Sequence, residues 1–323
     1  MNKKAIRYVM VALAFVFVAS VALIGISIWD ARHGVFSSRD VQLEKTIEYN
    51  GSSYVLKDGI ETFLLIGLDK TSDYEISESY NNDSQADMLV LFVFDTREKT
   101  CKAIQINRDT MTEVNVLGIA GNKIDSIIEQ IALSHNYGNG REVSCRNVAN
   151  AVSKLLLNAR VDHYLSMTMD CVGIINDAVG GVEVTVLDDF NGESGLVKGE
   201  TVKLKADQAL TYVRGRRNVG DGTNISRMER QRQYFDAVFQ KLKNKIDEDR
   251  GFVLDVLEDI NGKIVSDRSV TQLEELFNKI SDYDFSFVDI MKGESTVGDE
   301  FMEFYPDENS VKELVIKCFY NPK

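Results

Sequence analysis

Between residues 62 and 106 the chain carries three short apolar runs, TFLLIGL (62–68), MLVLFVF (88–94) and Cys101–Ile106, each closed off by polar or turn residues. Runs this short, rich in β-branched and aromatic side chains, read as buried strands rather than helices. The polar turn Asp95–Lys99 joins the second run to the third as a hairpin. Downstream, apolar residues recur at helical intervals over Lys123–Leu133 and Glu142–Leu157. A strand is expected over Tyr164–Met169, a helix over Cys171–Ala178 stopped by Gly180-Gly181, and a strand over Val182–Val186. Helices then follow at Ala206–Tyr212, Arg227–Lys243, Phe252–Ile260, Thr271–Ile280 and Ser310–Cys318, with strands near Phe285–Ile290 and Glu300–Tyr305. Helices interspersed with buried strands, together with a hairpin, imply an α/β domain whose mixed sheet lies between helical layers.

The N-terminus carries a different signal. Lys3, Lys4 and Arg7 precede Tyr8–Ile28, a stretch of 21 residues without a charged side chain, closed by Trp29 and Asp30. At 1.5 Å per residue this spans a bilayer core of roughly 30 Å. A cleaved signal peptide is the competing reading, but its apolar core is normally shorter. The expected organisation is a cytoplasmic tail (1–7), a transmembrane signal anchor (8–29), an extracellular stalk (30–60) and one globular domain (61–320). The positive flank keeps the N-terminus in the cytoplasm and places the domain outside the cell membrane. The chain has only two prolines, Pro306 and Pro322, and no Ser/Gly/Pro-rich linker divides the domain.

Cys101, Cys145, Cys171 and Cys318 do not have zinc-site spacing, and three of them lie in apolar segments, so burial as small hydrophobes is expected. The three histidines, His33, His135 and His163, cannot form a three-histidine metal centre in the domain, because His33 falls in the stalk. Neither HExxH nor GxSxG occurs. The chemistry therefore falls to carboxylates and arginines, with or without a metal.

Arginines are concentrated in one place. Residues 210–233, LTYVRGRRNVGDGTNISRMERQRQ, hold Arg214, Arg216, Arg217, Arg227, Arg230 and Arg232 and no lysine, inside a chain of net charge −13. Guanidinium is always charged, and its rigid donor fork matches phosphate oxygens. The alternative is a solvated helix face, but nearby carboxylates are few (Asp207, Asp221, Glu229). Nucleic acid is a poor partner for an acidic, outward-facing domain. Asp69 follows the first buried run and Asp87 precedes the second, so antiparallel pairing would bring both to one sheet edge. There they either hold Mg²⁺, which takes one or two carboxylates plus waters and phosphates, or simply end their strands. Arg108, beyond the third strand, reaches the same edge, with Asp109 placed to orient it.

The series FLLIGLD (63–69), SQADMLVLFVFD (84–95), IQINRDT (104–110), HNYGNG (135–140), INDAVGGVEVTV (175–186), KADQALTYVRGRR (205–217) and SRMERQRQ (226–233) resembles the LytR–CpsA–Psr family, in order and spacing. EFYPDENSVKELV (303–315) is similar to the end of the family's domain. The resemblance covers about residues 62–318. It implies an α–β–α sandwich with an apolar cavity for a prenyl tail. The implied activity is a phosphotransferase that moves a glycopolymer (teichoic acid, capsular polysaccharide or a related polymer) from a polyprenyl-pyrophosphate carrier to peptidoglycan. By motif, Asp69 and Asp87 would be the metal-side carboxylates for Mg²⁺. Arg108, Arg214, Arg216, Arg227 and Gln231 would contact the pyrophosphate, and Asp87, Arg108, Arg214 and Arg216 would carry catalysis. The acceptor hydroxyl needs a general base, for which Asp87, Asp69 or a phosphate oxygen are the candidates.

Two positions depart from the family pattern. Gln85 stands where arginine is usual, which keeps a pyrophosphate-binding donor but without charge. Asn107 stands where proline or serine is usual, which alters the local turn. Two other activities use the same residues: non-catalytic binding of lipid-linked polymer in envelope regulation, and hydrolysis of the carrier pyrophosphate.

Overall fold

A computed structural model describes residues 43–74, 82–299 and 301–323. The described residues open with a hairpin of β1 (Thr46–Tyr49) and β2 (Ser52–Leu56), whose free edge takes up the strand β15 (Tyr320–Pro322). The segment expected as a stalk, 30–60, is therefore folded from its first described residues, because three-strand pairing satisfies its backbone groups. The expected anchor, 8–29, and cytoplasmic tail, 1–7, lie outside the described residues. No described helix is long and apolar enough to cross a membrane.

The central sheet contains β3 (Ile60–Leu68), β4 (Ala86–Asp95) and β5 (Thr100–Ile106) as an antiparallel meander. β6 (Met111–Leu117) and β7 (Lys123–Gln130) form a separate hairpin, followed by a 3-10 turn at Ile131–Asn136 and helix α1 (Glu142–Leu155). β8 (His163–Met167) returns parallel to β3, and α2 (Asp170–Ala178) follows. β9 (Glu183–Thr185) and β10 (Thr201–Lys203) pair only with each other, so the strand expected at Val182–Val186 lies outside the central sheet. α3 (Ala206–Arg214) and α4 (Asn224–Glu248) carry the arginine-rich segment. α5 (Phe252–Asp259), β11 (Ile264–Ser266), α6 (Val270–Ile280), β12 (Asp284–Phe287), the hairpin β13 (Gly293–Val297) and β14 (Met302–Pro306), and α7 (Glu308–Phe319) complete the chain. The sheet order is β11-β8-β3-β4-β5-β12, with β8 and β12 parallel to their inner neighbours and the rest antiparallel. The sheet is mixed, as expected.

The apolar runs alternate between two covered faces, which explains why they read as continuous rather than alternating. Phe63, Leu65, Val90, Phe94, Cys101 and Leu165 pack with residues of α2, α4, α5 and α6. On the other face, the Ser166 hydroxyl of β8 shares a 2.7 Å hydrogen bond with the Tyr74 hydroxyl, and Lys102 of β5 donates to the Lys317 carbonyl of α7. All four cysteines are free and buried. Burial pushes the Cys145 thiol up to about 12 and those of Cys171 and Cys318 up to about 11.

The helix expected at Lys123–Leu133 is instead strand β7 and the start of the 3-10 turn. Ile124, Ile127, Ile128 and Ile131 fall at helical intervals, but the first three are exposed, so no apolar helix face exists there to bury. The Gly118–Asn122 turn, closed by Gly118 N–H donating to the Asn122 carbonyl at 2.9 Å, folds the β-branched segment back onto β6.

Candidate functional site

The pairing of β3 with β4 breaks at its end. Gly67 faces Met88 and Leu68 faces Ala86, leaving Asp87 as the extra residue of a β-bulge. A bulge re-aims the side chain it contains, and here it turns Asp87 toward α4. Arg227 Nη1, from the first turn of α4, donates to Asp87 Oδ2 at 3.0 Å, and its Nη2 reaches the Asp87 carbonyl at 3.3 Å. Arg108 Nη1 pairs with the other carboxylate oxygen, Oδ1. Both Asp87 oxygens are thus held by guanidinium groups from segments 21 and 140 residues away in sequence.

Asp69 and Asp87 lie at one edge, as the strand reading anticipated. Asp69 Oδ1 accepts from the Gln85 backbone N–H at 2.8 Å, and Asp69 N–H donates to the Gln85 carbonyl at 3.1 Å. Partial desolvation, together with repulsion from the Asp87 carboxylate, raises the Asp69 pKa above the usual carboxylate range, against the lowering effect of the Gln85 N–H and Arg108. Gln85 Oε1 accepts from Arg108 Nη2 at 2.6 Å. It therefore orients Arg108, a role the sequence had assigned only to Asp109. Asp109 takes part as well, with Oδ1 lying 3.3 Å from Arg108 Nε and Oδ2 accepting from Arg216 Nη2 at 3.1 Å. The Asn107–Thr110 turn that presents these residues is closed by Thr110 N–H donating to the Asn107 carbonyl at 3.0 Å. Asn107 Oδ1 also accepts from Asn224 Nδ2 at 2.7 Å, tying this turn to the start of α4. The departure at Asn107 therefore reaches beyond its own turn.

Arg227 is 4 % exposed, and burial lowers its pKa while Asp87 opposes the shift. Arg214 is exposed and forms no ion pair among the described residues. It lines a groove with Asp87, Arg227, Gln231, Leu68 and Val213. Gln231 lines the same groove, but its amide is already engaged: Oε1 accepts from Gln105 Nε2 at 2.9 Å and Nε2 donates to the Val213 carbonyl at 3.1 Å. As it stands it supports the end of α3. The last two arginines do not lie on a solvated helix face. Arg230 is fully buried against Asp188, and Arg232 lies over the Phe287 ring at 4.9 Å with Nε donating to Gln105. Arg217 is exposed. The carboxylates that pair with this segment, Asp87, Asp109 and Asp188, all come from outside it, so a count of local acids could not reveal them.

Beneath the groove, sharing Met167 as a wall, lies a cavity of about 150 Å³. Its twenty lining residues are all apolar, among them Phe63, Leu165, Phe235, Val238, Val256 and Phe285. It sits between the sheet and α4, α5 and α6. A cationic groove thus opens beside an apolar chamber, an arrangement suited to a ligand with an anionic head and a hydrocarbon tail.

The fold and groove define a class: mixed α/β domains with an arginine–carboxylate cleft above an apolar cavity. Residues 33–313 match the LytR_cpsA_psr family, and the chain belongs to that family. The polyisoprenyl-teichoic acid–peptidoglycan teichoic acid transferase TagU of Bacillus licheniformis is 26% identical over 245 residues, which is 75% of this chain and 72% of the relative. Its namesake from Enterococcus faecalis is 26% identical over 297 residues, 90% of this chain and 82% of that one. Among solved structures, Bacillus subtilis TagT superposes with a TM-score of 0.60 at 20% identity, covering 88% of this chain and 97% of TagT. The protein gbs0355 from Streptococcus agalactiae gives 0.65 at 18% identity over 80% and 86% of the two chains. These two share the fold.

Proposed function

We propose that this protein transfers a glycopolymer, of the teichoic acid or capsule kind, from a polyprenyl-pyrophosphate carrier onto peptidoglycan. It would act at the outer face of the cell membrane, anchored by residues 8–29. The observation that carries the reading is the groove where Arg227 and Arg108 pair with Asp87 and Arg214 lines the wall beside the apolar cavity, with Arg216 tied to Arg108 through Asp109. Family membership and the names of the relatives support it.

The residues fit the chemistry. Forming the new phosphodiester places negative charge on the attacked phosphoryl oxygens and on the departing prenyl phosphate. Arg214 and Arg216 would meet that charge from the α3 end, and Arg227 from α4. Arg108 is held in line by Gln85 and Asp87. Preorganised cations of this kind stabilise the transition state with little covalent work by the protein. Asp69 and Asp87 would hold Mg²⁺: repulsion from Asp87 helps raise the Asp69 pKa, and a divalent cation would relieve it. Waters and substrate phosphate would supply the remaining ligands. When bound there, Mg²⁺ would neutralise pyrophosphate charge. The acceptor hydroxyl loses its proton to Asp69, Asp87 or a phosphate oxygen.

The test incubates the purified outer domain with a polyprenyl-pyrophosphate-linked saccharide, Mg²⁺ and peptidoglycan oligomers, and reads the products by mass spectrometry. Sugar-phosphate attached to the glycan is the expected result. Free sugar-phosphate without an adduct would make the protein a pyrophosphatase. Binding without turnover, unchanged by Arg108→Ala or Asp87→Ala, would make it a binder.

A further inference from the structure

Behind the cleft lies a second arginine–carboxylate pair. The Arg230 guanidinium is fully buried and forks in three directions. Nη1 pairs with Asp188 and donates to Ser226 Oγ at 3.1 Å, Nε donates to the Tyr212 carbonyl at 3.1 Å, and Nη2 donates to the Gly215 carbonyl. Asp188 accepts in addition from Ser226 Oγ at 2.6 Å. The guanidinium lies 5.5 Å from the centre of the Phe190 ring, which stacks on Tyr212 at 5.7 Å.

These contacts hold three segments together: the loop after β9, the end of α3 and the first turns of α4. The two carbonyls bound by Arg230, those of Tyr212 and Gly215, bracket Arg214, and the second lies immediately before Arg216. Beyond them the turn closes against the same carboxylate. Gly220 has φ +57°, a Cβ there would fall 2.6 Å from Asp188 Oδ1, and its N–H donates to the Asp189 carbonyl at 3.1 Å. Arg227 and Arg230 stand three residues apart on one helix, the first facing the cleft and the second the turn. A buried ion pair adds little net stability compared with apolar side chains of the same volume. A five-donor fork, by contrast, fixes geometry that no apolar residue can.

We infer that Arg230 and Asp188 are positioning residues: they lock the Val213–Gly220 turn so that Arg214 and Arg216 face the same anion as Arg227. The identity of that anion as a lipid pyrophosphate rests on the function proposed above; the locking of the turn does not.

Two variants of the whole outer domain test this. Arg230→Met with Asp188→Leu removes both charges at similar volume, and Arg230→Lys keeps the charge but loses the fork. Both should melt within about 5 °C of the parent, since neither leaves an unpaired buried charge. Amide hydrogen exchange at Gly215, Val219 and Gly220 should quicken at least tenfold, while α1 amides stay unchanged. In the same proteins kcat for glycopolymer transfer should fall at least tenfold. Charge balance alone would let Arg230→Lys keep full turnover, which would overturn the inference. Exchange at the turn remaining at the parent rate in both variants would overturn it too. A parent domain without transferase activity would sink the proposed function, leaving the exchange data to decide the inference alone.

Discussion

Replacing Arg227 by alanine probes the cleft where its two roles, structural and chemical, can be separated. The guanidinium is nearly buried and sits 3.0 Å from Asp87 Oδ2. At an effective dielectric constant of 20, that separation corresponds to about 5 kcal/mol of attraction before desolvation is counted. Asp87 keeps its pairing with Arg108 and opens on the groove, so the expected loss sits near the low end for a broken buried pair, about 3 kcal/mol. For a domain of this size the melting temperature should drop by about 5 °C. Adding Asp87→Asn should recover part of that loss, because a neutral amide tolerates the missing partner; the two changes should be clearly non-additive. The chemical effect is separate. Removing one charge-stabilising donor should lower kcat by about 10²–10³ at a temperature where the variant is fully folded. Calorimetry supplies the first measurement and the mass-spectrometric transfer assay the second. A folded Arg227→Ala domain that transfers within threefold of the parent rate would refute the placement of Arg227 at the reacting phosphate.

Stability should fall with acid through His135. Its buried ring, with Nδ1 2.9 Å from the Ser84 carbonyl, has its pKa pushed by burial from 6.5 down to about 4. The neutral form is favoured in the fold, so this contribution is complete above pH 6.5 and is lost as pH falls toward 4, amounting to about 3 kcal/mol. Melting curves across that window should show the slope, and His135→Gln should flatten it. Val238→Trp, which projects a larger ring into the apolar cavity, should leave the melting temperature level or higher. The same change should cut turnover of a long-chain donor at least tenfold and spare a short-chain analogue; equal losses for both donors would contradict the cavity's role. Gln85→Arg replaces the acceptor that now holds Arg108 with a second cation. It should tighten inorganic pyrophosphate binding by about tenfold, read by titration calorimetry.

Much of the site could be read from the sequence because strand ends carry it. Asp69, Asp87 and Arg108 each stand beside a buried apolar run, and antiparallel pairing brings such ends together regardless of loop detail. What escaped was set by tertiary contact. The bulge that aims Asp87 at α4 leaves no mark in the pattern around it. Nothing near Arg230 in sequence marks it as buried, because its partner, Asp188, lies 42 residues upstream. Gln231 matched a head-group motif, yet its amide is held by Gln105 and the Val213 carbonyl. The isoleucines of β7 mimic a helix because their spacing fits one, while their exposure shows that no helical face was ever needed. The hairpin at 46–56 was hidden for a further reason: its strands complete a sheet only with residues at the far end of the chain.

One ligand is expected to fill both the arginine groove and the apolar cavity beneath it. A crystal structure of the outer domain with a short polyprenyl pyrophosphate and Mg²⁺ tests this most directly. The pyrophosphate should lie within hydrogen-bond reach of Arg214, Arg216 and Arg227, with the prenyl chain passing Met167 to end among Phe63, Leu165 and Phe235. A lipid bound with its tail outside that cavity, or its phosphates away from those arginines, would contradict the account.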